Sequence, residues 1–210
     1  MPWIDRVPAV LEAWFSGSEA GNALADVVFG AVNPSGKLPF TFPVRLEDNG
    51  AHALGEYPGS DKVKYNESIF VGYRWIEKER IEPLFAFGHG LSYTTFDIAN
   101  VQADRTSLAT TGRLRVSADV TNTGGRAGAE VVQLYIGDKL SSLPRPVKEL
   151  KGFERVFLKS GESRDVKFVI TEDDLKFYNS ELHYVYEPGE FDVMVGPNSR
   201  DVQTKSFQAK

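Results

Sequence analysis

The chain carries 29 Asp plus Glu side chains and three histidines (His52, His89 and His183), and no cysteine. Thiolate nucleophiles, disulfides and Cys-based metal sites are therefore excluded. The carboxylates are the groups best stocked for chemistry. Hydrolysis of a glycosidic bond needs two of them, roughly 5 Å apart in retaining enzymes. Glu67 is the best candidate for a carboxylate in a special setting, because the apolar run Ile69-Phe70-Val71-Gly72-Tyr73-Arg74-Trp75 follows it. Burial there demands a cationic partner, and the run itself supplies Arg74, so a structural Glu67–Arg74 ion pair is expected. No histidine is spaced with a second one, or with a carboxylate, as a metal pair on a helix. There is no Gly-x-Ser-x-Gly elbow, phosphate loop or dinucleotide fingerprint. No residue is assigned a catalytic or metal-binding role, and no cofactor is expected. Tyr57, Tyr65, Tyr73 and Trp75 could stack on sugar rings in a non-catalytic carbohydrate- or protein-binding module, with core packing the alternative use of Tyr73 and Trp75.

These groups are positioned around one stretch, Leu84-Phe85-Ala86-Phe87-Gly88-His89-Gly90-Leu91-Ser92-Tyr93-Thr94-Thr95-Phe96. Its aromatics call for burial, and two glycines flanking a histidine suit a tight, close-packed turn. It reads as a hinge between a partial α/β domain and an all-β domain. His89 is expected to serve structurally there, with its ring hydrogen-bonded at the junction.

Before the hinge, residues 1–15 suggest a strand or a short helix. Ser16-Gly17-Ser18-Glu19 fits a capping box. Ala20, Ala23, Leu24, Val27 and Val28 follow at helical spacing, and Gly30 is placed for a left-handed end. Prolines 39 and 43 keep residues 37–43 extended, and residues 44–66 read as a long polar surface loop. After the hinge the period becomes two. Leu114, Val116, Ala118 and Val120 share a face, as do Val132, Leu134 and Ile136; Val166, Phe168 and Ile170; and Phe191, Val193 and Val195. With turn residues between them, about seven short strands form a β-sandwich. Without a Cys-Trp-Cys pattern it is fibronectin-III-like (immunoglobulin-like) rather than antibody-type. Lys148, Glu149 and Lys151 read as the solvated face of a strand, and Thr171 as the cap of a short turn. The fold class is thus α+β: a partial α/β sandwich-domain remnant, residues 1–92, followed by the all-β sandwich, residues 93–210.

The net charge of −5, with both signs interspersed, argues against a nucleic-acid partner. No run approaches the ~18 apolar residues of a membrane span, and the first residues do not read as a signal peptide. Asn66-Glu67-Ser68 is an N-glycosylation sequon that would matter on a secretory route.

Several stretches resemble glycoside hydrolase family 3, chiefly its β-glucosidases. They are Trp14 to Val27, Asn33-Pro34-Ser35-Gly36-Lys37-Leu38-Pro39, Tyr65 to Arg74, and Phe87-Gly88-His89-Gly90-Leu91-Ser92-Tyr93. The strands, with Val120-Thr121-Asn122-Thr123-Gly124 and Glu149-Leu150-Lys151-Gly152-Phe153, resemble the fibronectin-III-like domain that closes many of these enzymes. The chain departs from the family pattern at Ser18, Ser68 and Ala86, where Gln, Gly and Pro are frequent. The resemblance implies that residues 1–90 are the last part of the family's α/β sandwich domain. It implies a nucleophilic Asp and an acid/base Glu upstream of these residues, so that Met1 corresponds to an internal position. A β-glucoside would then be a substrate of the full-length parent only.

Overall fold

The strands are dictated by the alternating pattern and close into two packed sheets. The computed structural model describes residues 1–210 throughout. The strands are β1 (Phe96–Ala103), β2 (Ser107–Leu108), β3 (Leu114–Asn122), β4 (Gly128–Asp138), β5 (Glu149–Leu158), β6 (Ser163–Ile170), β7 (Phe177–Tyr178), β8 (Tyr184–Val185), β9 (Gly189–Gly196) and β10 (Gln203–Ala209). One sheet runs β1-β3-β6, the other β2-β10-β9-β4-β5, and β7-β8 is a small hairpin. The ten strands exceed the expected seven because β2, β7 and β8 are two-residue pieces too short to show a period.

Residues from both inner faces interdigitate in a core that includes Leu114, Val116, Val120, Val132, Leu134, Leu158, Val166, Ile170, Phe191, Val193 and Phe207. Every face read from the alternation is directed inward as expected, with Phe168 at its margin. Strand β4 departs from simple alternation. Gln133 and Tyr135, on its outer face, are also buried, because the first half of the chain lies across them.

That first half is built differently. Residues 1–15 form one short turn, Ile4–Arg6, and no strand. Helix α1 (Ala20–Val28) is entered through a 3-10 turn, Gly17–Glu19. The expected capping box does not form: the Ser16 hydroxyl donates back to the Ala13 carbonyl, and Glu19 accepts from Asn22 at 2.7 Å. Gly17, at φ +72°, turns the chain away from the geometry that box needs. Gly30, at φ +76°, ends α1 as anticipated. Helix α2 (Gly50–Ala53) interrupts the loop at 44–66, and helix α3 (Tyr73–Lys78) buries Trp75 and Ile76. A short ladder ties residues 38–42 to 85–89: Leu38 N–H donates to His89 C=O at 2.8 Å, Gly88 N–H to Leu38 C=O at 2.8 Å, and Phe42 N–H to Phe85 C=O at 2.9 Å. No residue of α1 is buried, and Phe15 and Phe29 are almost wholly exposed. The core therefore belongs to the sandwich. Leu158→Ala is expected to lower its stability by about 2–5 kcal/mol, read as a shift in the urea midpoint by far-UV circular dichroism.

Candidate functional site

The junction between the two halves gathers the unusual residues. The hinge brings Phe87 onto the sheet, where its ring lies 4.6 Å from that of Tyr73 and 6.5 Å from that of Tyr135. Gly88 has φ +79° and lies so close to β4 that a Cβ there would overlap the Gln133 carboxamide. Gln133 donates through Nε2 to Gly88 C=O at 3.2 Å and to Pro197 C=O at 2.6 Å, and accepts from the Tyr135 hydroxyl at 2.5 Å. Burial among these groups raises the Tyr135 phenol well above its ordinary value, with the Tyr73 hydroxyl and Glu77 adding to the effect. The Tyr73 hydroxyl accepts from Leu150 N–H at 3.0 Å, and Ser199 N–H donates to Phe87 C=O at 2.9 Å.

Charged groups frame this centre. From α3, Glu77 meets Lys148 at 3.3 Å and Arg200 at 3.6 Å. Lys148 also donates to Ser199 C=O at 2.6 Å. Arg74, on the same helix, reaches Glu149 at 2.9 Å. Arg145 joins Glu149 at 3.2 Å and approaches Asp138 at 3.7 Å. Burial raises the Asp138 carboxyl above its ordinary value. At the other side, Lys37 pairs with Glu130 at 2.6 Å. The turn at 33–36 adds side-chain straps: Asn33 donates to Ala127 C=O at 3.0 Å and accepts from Tyr93 N–H at 2.8 Å, and Arg155 donates to Ser35 at 3.0 Å.

Two sequence-based expectations are corrected. Arg74 pairs with Glu149, not with Glu67; the helical turn of α3 carries its guanidinium toward the sandwich, and Glu67 Oε2 is buried with no hydrogen-bond partner. Lys148 and Glu149 are not on a solvated face. Lys148 is only 7% exposed, and the pairing of β4 with β5 slips by one residue at Lys151, with Leu134 opposite Gly152 but Tyr135 opposite Leu150. That bulge turns the start of β5 toward α3, and no periodicity could have announced it.

The remaining candidates disperse. The His89 ring stacks on Phe85 at 5.2 Å instead of making the expected hydrogen bond. His52 stands by Tyr57, and His183 by Glu181. Trp75 is buried and donates to Asp48 C=O at 3.1 Å, and Tyr73 is committed to the junction, so neither offers a platform for sugar; Tyr57 and Tyr65 are exposed. Asn66 is exposed, with its amide directed to Glu56. No group of three or more His, Asp or Glu side chains converges as a metal-ligand set. An open cleft of about 310 Å³, lined by Phe96, Ile98 and Val195 among others, has as its acids Asp201 and the Lys37-paired Glu130. Asp48, Glu77, Glu130, Asp138 and Glu149 are all matched to cations, which is the arrangement of a structural clasp rather than of an acid/base pair.

Two outcomes follow from this geometry. Glu77→Leu strands Lys148 and should cost about 3–5 kcal/mol, whereas Glu77→Leu with Lys148→Met should recover most of it; denaturant midpoints of the three proteins by tryptophan fluorescence check this. The His89 imidazole is held below its ordinary 6.5, first by burial and then by the Lys37 cation, against an opposing effect of Asp201. The unfolded chain therefore takes up the proton first. The stability from neutral His89 is complete above pH about 6.5 and is lost as pH falls through the folded value. His89→Phe should flatten the difference in urea midpoint between pH 7.5 and pH 5.5, values chosen to lie about one unit either side of that ordinary pKa.

Family models match two stretches of the chain. Residues 1–93 match the model of the glycosyl hydrolase family 3 C-terminal domain, and residues 130–199 that of the fibronectin type III-like domain. Thermostable β-glucosidase B of Acetivibrio thermocellus is 48% identical over 98% of this chain, and a β-glucosidase of Bacteroides ovatus 46% identical over 99%. The chain spans 27% and 28% of the lengths of those two relatives. Among solved structures, the family 3 β-glucosidase of Bifidobacterium adolescentis superposes with a TM-score of 0.90 at 37% identity, over 99% of this chain and 31% of that one. β-Glucosidase 3B of Thermotoga neapolitana, in complex with glucose, gives 0.88 at 40% identity, over 99% and 29%. The clasp described above is thus a segment of a known architecture, and the chain belongs to glycosyl hydrolase family 3.

Proposed function

We propose that this chain is the C-terminal portion of a retaining β-glucosidase, which releases terminal non-reducing β-D-glucosyl residues, and that its own part is structural. In this reading residues 1–92 complete an α/β sandwich domain, and residues 93–210 form a fibronectin type III-like domain clasped to it. The nucleophile and the acid/base lie in the rest of the polypeptide, the β-glucoside is bound only by the whole, and neither nucleic acid nor membrane is a partner. The observation that carries this is the match of nearly the whole chain to β-glucosidases more than three times its length. The commitment of all but one of the buried carboxylates to cations supports it, since a retaining mechanism needs two acids free to act. The exposed apolar surface of α1, with Phe15 and Phe29, also suits an element made to be covered.

The test is an aryl β-glucoside assay on both forms. The 210-residue chain is expected to show no turnover above buffer, and the full-length polypeptide to release β-glucose first, seen by proton NMR. Turnover by the short chain that one Asp or Glu substitution abolishes would overturn this reading.

A further inference from the structure

Glu67 is the one buried carboxylate of this chain left without a cation. The residue is 8% exposed; its Oε2 is covered and has no hydrogen-bond donor, and its Oε1, which likewise has no donor in this chain, is the oxygen still open to solvent. It is also rigidly placed. A Cβ on Gly50 would press on the Glu67 Cβ at 3.2 Å and on the Trp75 ring at 3.0 Å, so α2 lies directly against it. The turn after it is closed by Ser68 N–H to Tyr65 C=O at 2.9 Å and Phe70 N–H to Glu67 C=O at 3.0 Å. Ser68 sits at φ +57°, an unfavourable conformation for a residue with a Cβ. A charged oxygen held in that way is strongly unfavourable unless a donor meets it. Arg74 is committed to Glu149, Arg45 to Asp48, and Lys78 to Glu79 with its ammonium over the Phe70 and Trp75 rings, while Lys64, three residues before Glu67, is exposed and makes no ion pair with it. Too few acids gather here for a metal ion. Tyr65, Ile69 and Val71, its near neighbours in sequence, are large hydrophobic side chains left exposed, as the apolar core of a protein–protein contact would be before its partner covers it.

We infer that Glu67 is the receptor for an Arg or Lys side chain carried by the part of the full-length polypeptide outside these 210 residues. The inference rests on the C-terminal-portion reading given above. Glu67 is then a docking residue, and the expected Arg74 pair is replaced by one that crosses to another segment.

The experiment compares Glu67→Gln in two settings. In the full-length polypeptide the unfolding rate, followed by tryptophan fluorescence, should rise about tenfold or more, the usual scale for breaking a desolvated charge pair. In the 210-residue chain the same substitution should bring no loss. Lys and Arg residues outside the 210 are then changed singly to Gln, with and without Glu67→Gln. One of them should reproduce the loss alone and add nothing to it in combination. Equal losses in both settings, coupling to Lys64 of this chain instead, or no coupled cation would each overturn the inference. The readout needs no catalysis, so an absence of β-glucosidase activity would count against the proposed function alone.

Discussion

Gln133 and Tyr135 point away from the sandwich core and yet are buried, and the rest of the architecture depends on that. A strand buried on both faces must be covered by something other than its partner sheet. Here the cover is the hinge, which reaches β4 only because Gly88 has no side chain. Gln133 then satisfies the backbone of both halves, Gly88 on one side and Pro197 on the other. A buried amide with all its groups matched fixes one arrangement, because any slip of the hinge leaves it unsatisfied. The aromatic packing of Tyr73, Phe87 and Tyr135 supplies area, and the amide supplies register.

The ion pairs around this centre act in the same sense. Taking Lys148 and Glu77 out of water is costly, and their attraction roughly offsets the cost rather than adding a large net gain. Their effect is on orientation. Of the charges on α3, Arg74 and Glu77 meet Glu149 and Lys148 only if the helix lies along the start of β5. The two halves are therefore locked by steric fit at Gly88, hydrogen bonding at Gln133 and charge matching at α3.

Much of this was legible in the residues. The alternation of β3 and β9 placed Leu114, Val116, Phe191 and Val193 in the core, and the Gly-His-Gly turn announced a close approach. What was not legible depends on contacts distant in sequence. Arg74 lies within seven residues of Glu67, but helix α3 faces Glu149, 75 positions away. The burial of Lys148, just ahead of β5, was hidden because the groups that hold it, Glu77 and the Ser199 carbonyl, are distant in sequence. The Ser16 capping box failed because Gly17 took a left-handed conformation that the spacing does not encode. Ser68 is the reverse case: its departure from the family's usual Gly was visible in the sequence, and φ +57° shows why a Gly is favoured there.

Strand β10 has a consequence for biosynthesis. It lies inside the larger sheet, between β2 and β9, and contributes Phe207 to the core. A ribosome must therefore deliver nearly the last residues of this segment before the larger sheet can be completed. The hinge and α3 emerge much earlier and must wait without the surface they fit. During that interval their aromatic side chains are targets for chaperones, and translation speed through residues 93–210 sets how long the exposure lasts.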